Sequence, residues 1–504
     1  MKNGSFVLGE LIMVSKRQLL LAVTAGLAVL VLGTSASFAD YVPGQILVKY
    51  RSDIKRTDSL MTPLYHVLGV SSVYRFSGAM EGLEQITLAT DESIESAIEV
   101  LSRNPNIEYA QPNYKLYLMP NESAPKPKAG RGPCWPGTPP EECDPTECWI
   151  PGVNFPPGCH AGEGGGGGPI PIPTGEPGGG EPSNPPAEDP ALNAVPAEVT
   201  PPVADPRLSE AYGIAKVGAP AAWDINKGHK EFIVAVIDTG IDYNHEDLAF
   251  NVWRNPNPGP KNDVVGYDFV HDDGAPFDDH MHGSHCAGTI GAVGGNGKGV
   301  AGVNQRVSIM GLKFLSAQGE GDTAGAIKAI DYAIEHGARV LSNSWGGKGD
   351  EQNTALHDAI DRAKAKDVLF IAAAGNDGAN NDLADPSYPA AFDNDNLISV
   401  AATDKNDKMA SFSNYGVKTT HLAAPGVSIL STIPGNKYFK LDGTSMACPH
   451  VAGAAALLWS HHPEWNYKRV KETLMKTVDP LPALSGKTVT GGRINVFNAL
   501  RSTD

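Results

Sequence analysis

Phe232-Ile233-Val234-Ala235-Val236-Ile237-Asp238-Thr239-Gly240 holds six apolar residues in a row before it turns polar. A strand that is wet on one face alternates. An unbroken apolar run belongs to a strand covered on both faces, as in a parallel sheet. Val368-Leu369-Phe370-Ile371-Ala372 and Leu397-Ile398-Ser399-Val400 read the same way. Helical spacing separates these runs: Ile327, Ile330 and Ile334 share one face before Gly337 stops the helix, and Leu356 and Ile360 share another. Strand and helix in alternation predict an α/β domain with a parallel sheet over residues 205–504. Functional groups in such sheets gather beyond the carboxyl ends of the strands. Asp238 follows its strand directly and so holds that position.

Upstream of this domain the composition changes. Residues 120–204 carry an unbroken glycine run at 164–168, many prolines and few large aliphatic residues. Such a stretch buries too little apolar surface to offset chain entropy and reads as a linker. Cys134, Cys143, Cys148 and Cys159 cluster in it, whereas Cys286 and Cys448 stand alone in the later domain. In an exported chain the four read as two disulfides, with three connectivities open. Zinc is the rival reading, although the spacing contains no C-x-x-C pair.

Residues 40–119 form a compact mixed unit. Gly44-Gln45-Ile46-Leu47-Val48-Lys49-Tyr50 reads as a strand, residues 84–88 alternate as a half-buried one, and Ile107-Glu108-Tyr109 begins another. Ile94, Ala97, Ile98 and Leu101 recur at helical spacing after Asp91, a suitable cap, and Pro105 ends the helix. With a weaker helical stretch at 60–68, this predicts a small α+β sandwich. At the start, Lys16 and Arg17 precede an apolar run at 19–32, shorter than the roughly 20 residues of a membrane span. Ser37-Phe38-Ala39 then supplies small residues for cleavage. Residues 1–39 therefore read as a signal peptide, with an uncleaved anchor as the alternative. The expected location is extracellular, or periplasmic or cell-surface where an envelope retains the protein. The formal charge of −17 argues against nucleic acid or an anionic membrane as partner.

Two more polar residues stand out beside Asp238. His282 opens His282-Gly283-Ser284-His285-Cys286-Ala287-Gly288-Thr289, and Ser445 lies in Gly443-Thr444-Ser445-Met446-Ala447-Cys448-Pro449-His450-Val451-Ala452-Gly453. A serine hydroxyl attacks only when a base takes its proton. Histidine is that base near neutral pH, and a buried aspartate fixes its tautomer and stabilises its cation. The apolar stretch 451–459 reads as a helix and tolerates Pro449 only near its start, which puts Ser445 at a helix N-terminus. Taken singly, each residue also has an ordinary structural role as loop aspartate, structural histidine or cap.

Together, in the order Asp, His, Ser, these three segments resemble the subtilases, the subtilisin-like serine proteases. The resemblance covers nearly all of residues 205–504. It implies a subtilisin-like endopeptidase with Asp238, His282 and Ser445 as triad. In Ala373-Ala374-Gly375-Asn376-Asp377-Gly378 it implies that Asn376 donates to the tetrahedral intermediate. Ser344-Trp345-Gly346 and Gly319-Glu320-Gly321 resemble the two walls of the cleft, where peptide adds as a strand. Binding through the main chain implies broad specificity. Asp377 would lie at the rim of the primary pocket, Ser387 near its base, and Tyr388-Pro389 at a cis-proline bend. Without the resemblance, the glycine-rich segments would read as turns.

Structural calcium is implied by similarity to the thermitase-like branch, with Asp205, Asp247 and Asn296 as ligands. Gly295 and Lys298 depart from that branch's loop pattern, and Met281 stands before His282 where glycine is common. Asn104-Pro105-Asn106-Ile107-Glu108-Tyr109-Ala110-Gln111-Pro112-Asn113-Tyr114 resembles the subtilase inhibitory propeptide. The similarity implies a ferredoxin-like unit over residues 40–119 that chaperones folding and places its carboxyl end in the cleft. Cleavage before or after the linker both fit the sequence. The expected partners are protein and peptide substrates and the chain's own propeptide, with the enzyme a monomer. A silent, peptide-binding scaffold is the competing class, and the presence of Asp238, His282, Ser445 and Asn376 argues against it. A third reading makes the linker a separate binding module; its composition permits this, and no specific feature supports it.

Overall fold

The computed structural model describes residues 40–53, 64–78, 81–89, 93–119, 202–348 and 353–502. The signal-like run, the four clustered cysteines and nearly all of the linker lie outside the described residues. Among the described residues, no helix is long and apolar enough to cross a membrane.

The amino-terminal unit contains β1 (Tyr41–Tyr50), β2 (Val70–Arg75), β3 (Leu83–Leu88), α1 (Ile94–Ser102) and β4 (Ile107–Leu118). Its strands pair antiparallel in the order β4-β1-β3-β2. Ile46, Val48, Ile86 and Leu88 pack against Ile94, Ala97 and Leu101 of α1, against Tyr65 within a helical turn at 64–67 and against Leu68 just after it. This is a ferredoxin-like β-α-β-β-α-β arrangement. The cap of α1 is Ser93, whose hydroxyl accepts from the Ser96 amide, rather than Asp91. Strand β2 has no counterpart in the sequence reading, because its residues are exposed or half-buried and show no apolar face.

The main domain is built on a sheet of β5 (Ile233–Asp238), β6 (Gly266–Asp268), β7 (Ser308–Lys313), β9 (Val340–Asn343), β11 (Leu369–Ala373), β13 (Leu397–Thr403), β14 (Leu422–Pro425), β17 (Asp479–Pro480) and β18 (Gly492–Arg493). Their order is β17-β18-β14-β13-β11-β9-β5-β7-β6, parallel except for the β17–β18 pair. Smaller strands outside it are β8 (Glu320–Asp322), β10 (Trp345–Lys348), β12 (Ser387–Tyr388) and the hairpin β15 (Ile429–Ile433) and β16 (Lys437–Leu441).

Strand β5 shows why its sequence is apolar throughout. Val234 and Val236 enter a core with residues of α2 (His282–Gly291) and α5 (Thr444–His461). Ala235 and Ile237 enter a second core with residues of α3 (Thr323–Glu335) and α4 (Thr354–Ala365). Ile237 is fully buried; burying such a side chain stabilises by about 1.5–3 kcal/mol and holds the strand end beneath Asp238.

Strand β4 leaves its own unit and pairs antiparallel with β8 on one side and β10 on the other. The two units are further joined at helix starts, where backbone N–H groups lack intrahelical partners. Asn113 Oδ1 accepts from the Ala324 amide of α3 (3.0 Å), and Gln111 Oε1 accepts from the Ala355 amide of α4 (3.0 Å). Gln111 Nε2 donates to Asn353 Oδ1 (3.0 Å), and Tyr109 donates to Asp358 (3.1 Å).

Candidate active site

Asp238 ends β5 and is fully buried. Its Oδ1 lies 2.8 Å from His282 Nδ1 and accepts from the Thr239 amide at 2.8 Å. His282 is the first residue of α2. Thr239 ties the two segments together: its hydroxyl accepts from the Gly283 amide (3.0 Å) and donates to Asp278 (2.8 Å). Asp278 in turn accepts from the His280, Met281 and Ser284 amides. Residue 283 must be glycine, because a Cβ there would stand 2.0 Å from the Gly240 carbonyl. Burial alone would pull the His282 pKa down; the charge and hydrogen bond of Asp238, with Asp278 beyond, reverse this and leave it raised.

Ser445 stands in the first turn of α5, whose cap is Gly443 at φ 152°. The helix begins earlier than the apolar stretch alone suggests, so Pro449 lies inside it. Proline has no N–H for the carbonyl four residues back. That carbonyl, of Ser445, instead accepts from Ser344 Oγ (2.9 Å) and Cys286 Sγ (3.5 Å). Ser445 Oγ donates to the Ser344 carbonyl at 3.1 Å. Asp238 and His282 are thus already paired, while the Ser445 hydroxyl rests on the Ser344 carbonyl.

Asn376 follows β11 and is held by its oxygen. Its Oδ1 accepts from the Thr444 amide and hydroxyl, both at 2.9 Å. Its Nδ2 therefore points outward and donates to the Met119 carbonyl at 3.2 Å. Met119 closes the segment after β4. Leu118 donates its amide to Gly319 (2.9 Å), Leu116 pairs with Gly321, and Trp345 and Gly346 pair with Leu118 and Tyr117. Glycine is needed at 346, where a Cβ would lie 2.5 Å from the Tyr388 carbonyl and 2.6 Å from Met119 Cε. The Trp345 indole points into the core and donates to Ile237 O (2.9 Å), so this residue meets Leu118 through its backbone.

Asp377 pairs with Lys348 at 3.3 Å. Ser387 is buried and accepts from Asn414 Nδ2 at 3.0 Å. The Tyr388–Pro389 peptide is cis. Thr444, Asn414 and Asp278 were missed by the sequence reading. Asn414 accepts from the Asp377 and Ala379 amides and so shapes the turn after Asn376. Thr444 stands inside the quoted serine motif, but only its folded contact reveals what it holds.

Cys286 lies one helical turn from His282, with Sγ 4.0 Å from Nδ1. Burial, then the nearby Asp238 charge, pushes its thiol well up. It is therefore a neutral thiol behind the imidazole. Cys448 is also buried and faces the Asn343 and Ile371 carbonyls.

Asp205 and Asp247 converge on the loop at 295–300. Asp205 accepts from the Gly295 and Asn296 amides at 2.9–3.1 Å, and Asp247 accepts from Asn296 Nδ2 (2.8 Å) and the Val300 amide (2.9 Å). Burial, with Asp205 nearby, pushes Asp247 up to about 7. Two neighbouring buried carboxylates on one loop suit a cation. The Lys298 ammonium turns away and pairs with Glu246 at 2.8 Å.

A family model described as the fervidolysin N-terminal prodomain matches residues 31–113. Thermitase of Thermoactinomyces vulgaris is 39% identical over 293 residues, 58% of this chain and 96% of that protein. A thermophilic serine proteinase of Bacillus sp. strain AK1 is 39% identical over 289 residues, covering 57% of this chain and 66% of its own length. Subtilisin E of Bacillus subtilis is 39% identical over 267 residues, 53% of this chain and 65% of that protein. The model of the subtilase family matches residues 229–495, which contain Asp238, His282, Asn376 and Ser445 and make up more than half of the sequence. On that extent of agreement, and with a prodomain ahead of it, the chain belongs to the subtilase family of serine peptidases.

Proposed function

We propose that the protein is a secreted endopeptidase of broad specificity that processes its own precursor. Ser445 is the nucleophile, His282 its base and Asp238 the group that orients His282. Asn376 stabilises the oxyanion. One observation carries the reading: a peptide carbonyl, that of Met119, rests on the Asn376 amide while its strand is clasped between β8 and β10. That is how an extended substrate would be held, through backbone hydrogen bonds that do not select side chains. The Ser445 hydroxyl must turn from Ser344 toward His282 before attack, a rotamer change of the kind catalytic hydrogen bonds often need. His282 then takes the hydroxyl proton and returns it to the leaving nitrogen.

Residues 1–39 would serve as the signal peptide, 40–119 as inhibitor, 120–204 as a disulfide-stapled linker and 205–504 as the peptidase. Calcium held by Asp205, Asp247 and, after its amide turns, Asn296 would supply charge balance and tie the start of the domain to its core. Replacing Ser445 with Ala tests the peptidase reading. The variant should accumulate as uncut precursor and leave casein intact; maturation and casein cleavage at the native rate would overturn it.

A further inference from the structure

Lys313 ends β7, directly beside Asp238 at the end of β5, and its side chain is fully buried. An ammonium group has three N–H donors and no acceptor. All three find partners: the Thr239 carbonyl at 2.9 Å, the Leu315 carbonyl at 2.7 Å and Asp279 Oδ1 at 2.7 Å. Each partner lies on a different segment around the site. Resting on the peptidase reading above, in which Asp238 orients His282, we propose that Lys313 is a positioning residue for that pair. Its ammonium holds the turn after Asp238, the loop before His282 and the root of one cleft wall in a single arrangement.

The Thr239 contact reaches both members of the pair. Thr239 donates its amide to Asp238 Oδ1, and its hydroxyl accepts from the Gly283 amide. Its carbonyl belongs to the peptide that leads into Gly240, which stands at φ 102°. Gly283 packs against the Gly240 carbonyl so closely that a Cβ would lie 2.0 Å from it. Fixing that peptide plane therefore fixes the floor beneath the first turn of α2, where His282 stands. The Asp279 contact holds the loop three residues ahead of His282. At Leu315 the chain turns back: the Phe314 and Leu315 amides both donate to the Asp238 carbonyl, at 3.1 and 3.2 Å. The next residue, Ser316, donates its amide to the Glu320 carbonyl of β8. Charge balance alone does not account for the lysine, since two of its three acceptors are neutral carbonyls. Burying an ammonium is costly unless it is paired and fully bonded, and an apolar side chain of similar volume often serves a core equally well. What the ammonium adds is direction, because three segments must converge on one nitrogen. Misplacing reacting groups by about 1 Å can cost about a hundredfold in rate.

The test uses mature enzyme, native and Lys313→Met, assayed well below the melting midpoint of each. The substitution keeps a long unbranched side chain and removes the donors. Turnover should fall at least about tenfold while KM stays within about twofold, the pattern of an interaction that serves only the transition state. The proton shared by His282 and Asp238 gives a far-downfield proton NMR signal, identified by its loss in His282→Ala, and Lys313→Met should move or broaden it. A residue that supports only the core would leave that signal in place. Turnover within about twofold of native, a loss confined to KM, or a lower turnover with the signal unmoved would each overturn the inference. If Lys313→Met gives no folded mature enzyme, Asp279→Asn takes its place; the Asp279 side chain is 29% exposed and tolerates the change. Lower turnover at unchanged KM with a displaced signal supports the inference, and any other pattern overturns it. Casein cleavage by native enzyme, absent from Ser445→Ala, keeps the peptidase reading standing in either case. Casein left intact by native enzyme would overturn both.

Discussion

Replacing Thr444 with Val removes one hydroxyl and nothing else from the surroundings of Asn376. In the native structure that hydroxyl donates to Asn376 Oδ1 at 2.9 Å and accepts from the Gly375 amide at 3.2 Å. The Thr444 amide still holds Asn376 in the variant, so one of two restraints is lost. A hydrogen bond of this kind contributes about 0.5–1.5 kcal/mol. If all of it serves to aim the Asn376 amide at the oxyanion, turnover falls about two- to twelvefold. Loss of Asn376 itself should cost about a hundred- to a thousandfold, as for a subtilisin oxyanion donor. Because Thr444 acts through Asn376, adding Thr444→Val to Asn376→Ala should change turnover by no more than about twofold. The orphaned Gly375 amide is buried and should lower stability by about 1–3 kcal/mol. The assay is kcat and KM on mature enzyme for the four members of the cycle, with denaturant melts alongside. Fully multiplicative losses in the double variant, or a change confined to KM, would refute the positioning role.

Other expectations follow from the same contacts. His282 is raised by Asp238, so kcat/KM should fall with acid through a pKa above the usual imidazole value near 6.5. Asp238→Asn should move the acid limb of the residual activity to lower pH, and an unmoved limb would count against the pairing. Chelation should lower the Tm of mature enzyme, since an ion bound only by the folded state stabilises it by mass action; identical melts after verified metal removal would exclude the site at Asp205 and Asp247. A mercurial on Cys286 should displace His282 and stop turnover, given Sγ at 4.0 Å from Nδ1. Cys286→Val should be active and resistant; resistance from Cys448→Ala instead would place the effect elsewhere.

The parallel sheet was legible because β5, β11 and β13 are covered on both faces and so are almost wholly apolar, with Ser399 the one polar residue inside β13. Asp238 was legible because it terminates such a strand, and Ser445 because its motif is long. Strand β2 was not, since an exposed edge leaves no apolar period. Contacts between distant segments were also hidden. Nothing local to Thr444 or Asn414 says which loop it will hold. The start of α5 was obscured by Pro449, whose missing hydrogen bond is absorbed by Ser344 and Cys286 only in the folded chain. The resemblance pointed to a propeptide in the cleft, but the residue that reaches Asn376 emerged from the register of β4 with β8 and β10. The departure at Met281 has a backbone consequence: it adopts φ 125°, a region that favours glycine.

The central claim is that Ser445, activated by His282, is the nucleophile. A sulfonyl fluoride reacts with a hydroxyl only where a neighbouring base activates it. Mature enzyme should take up one equivalent, lose activity in step, and yield on peptide mapping a single adduct at Ser445; His282→Ala should take up none. Full inactivation with the adduct on another residue, or equal labelling without His282, would contradict the account.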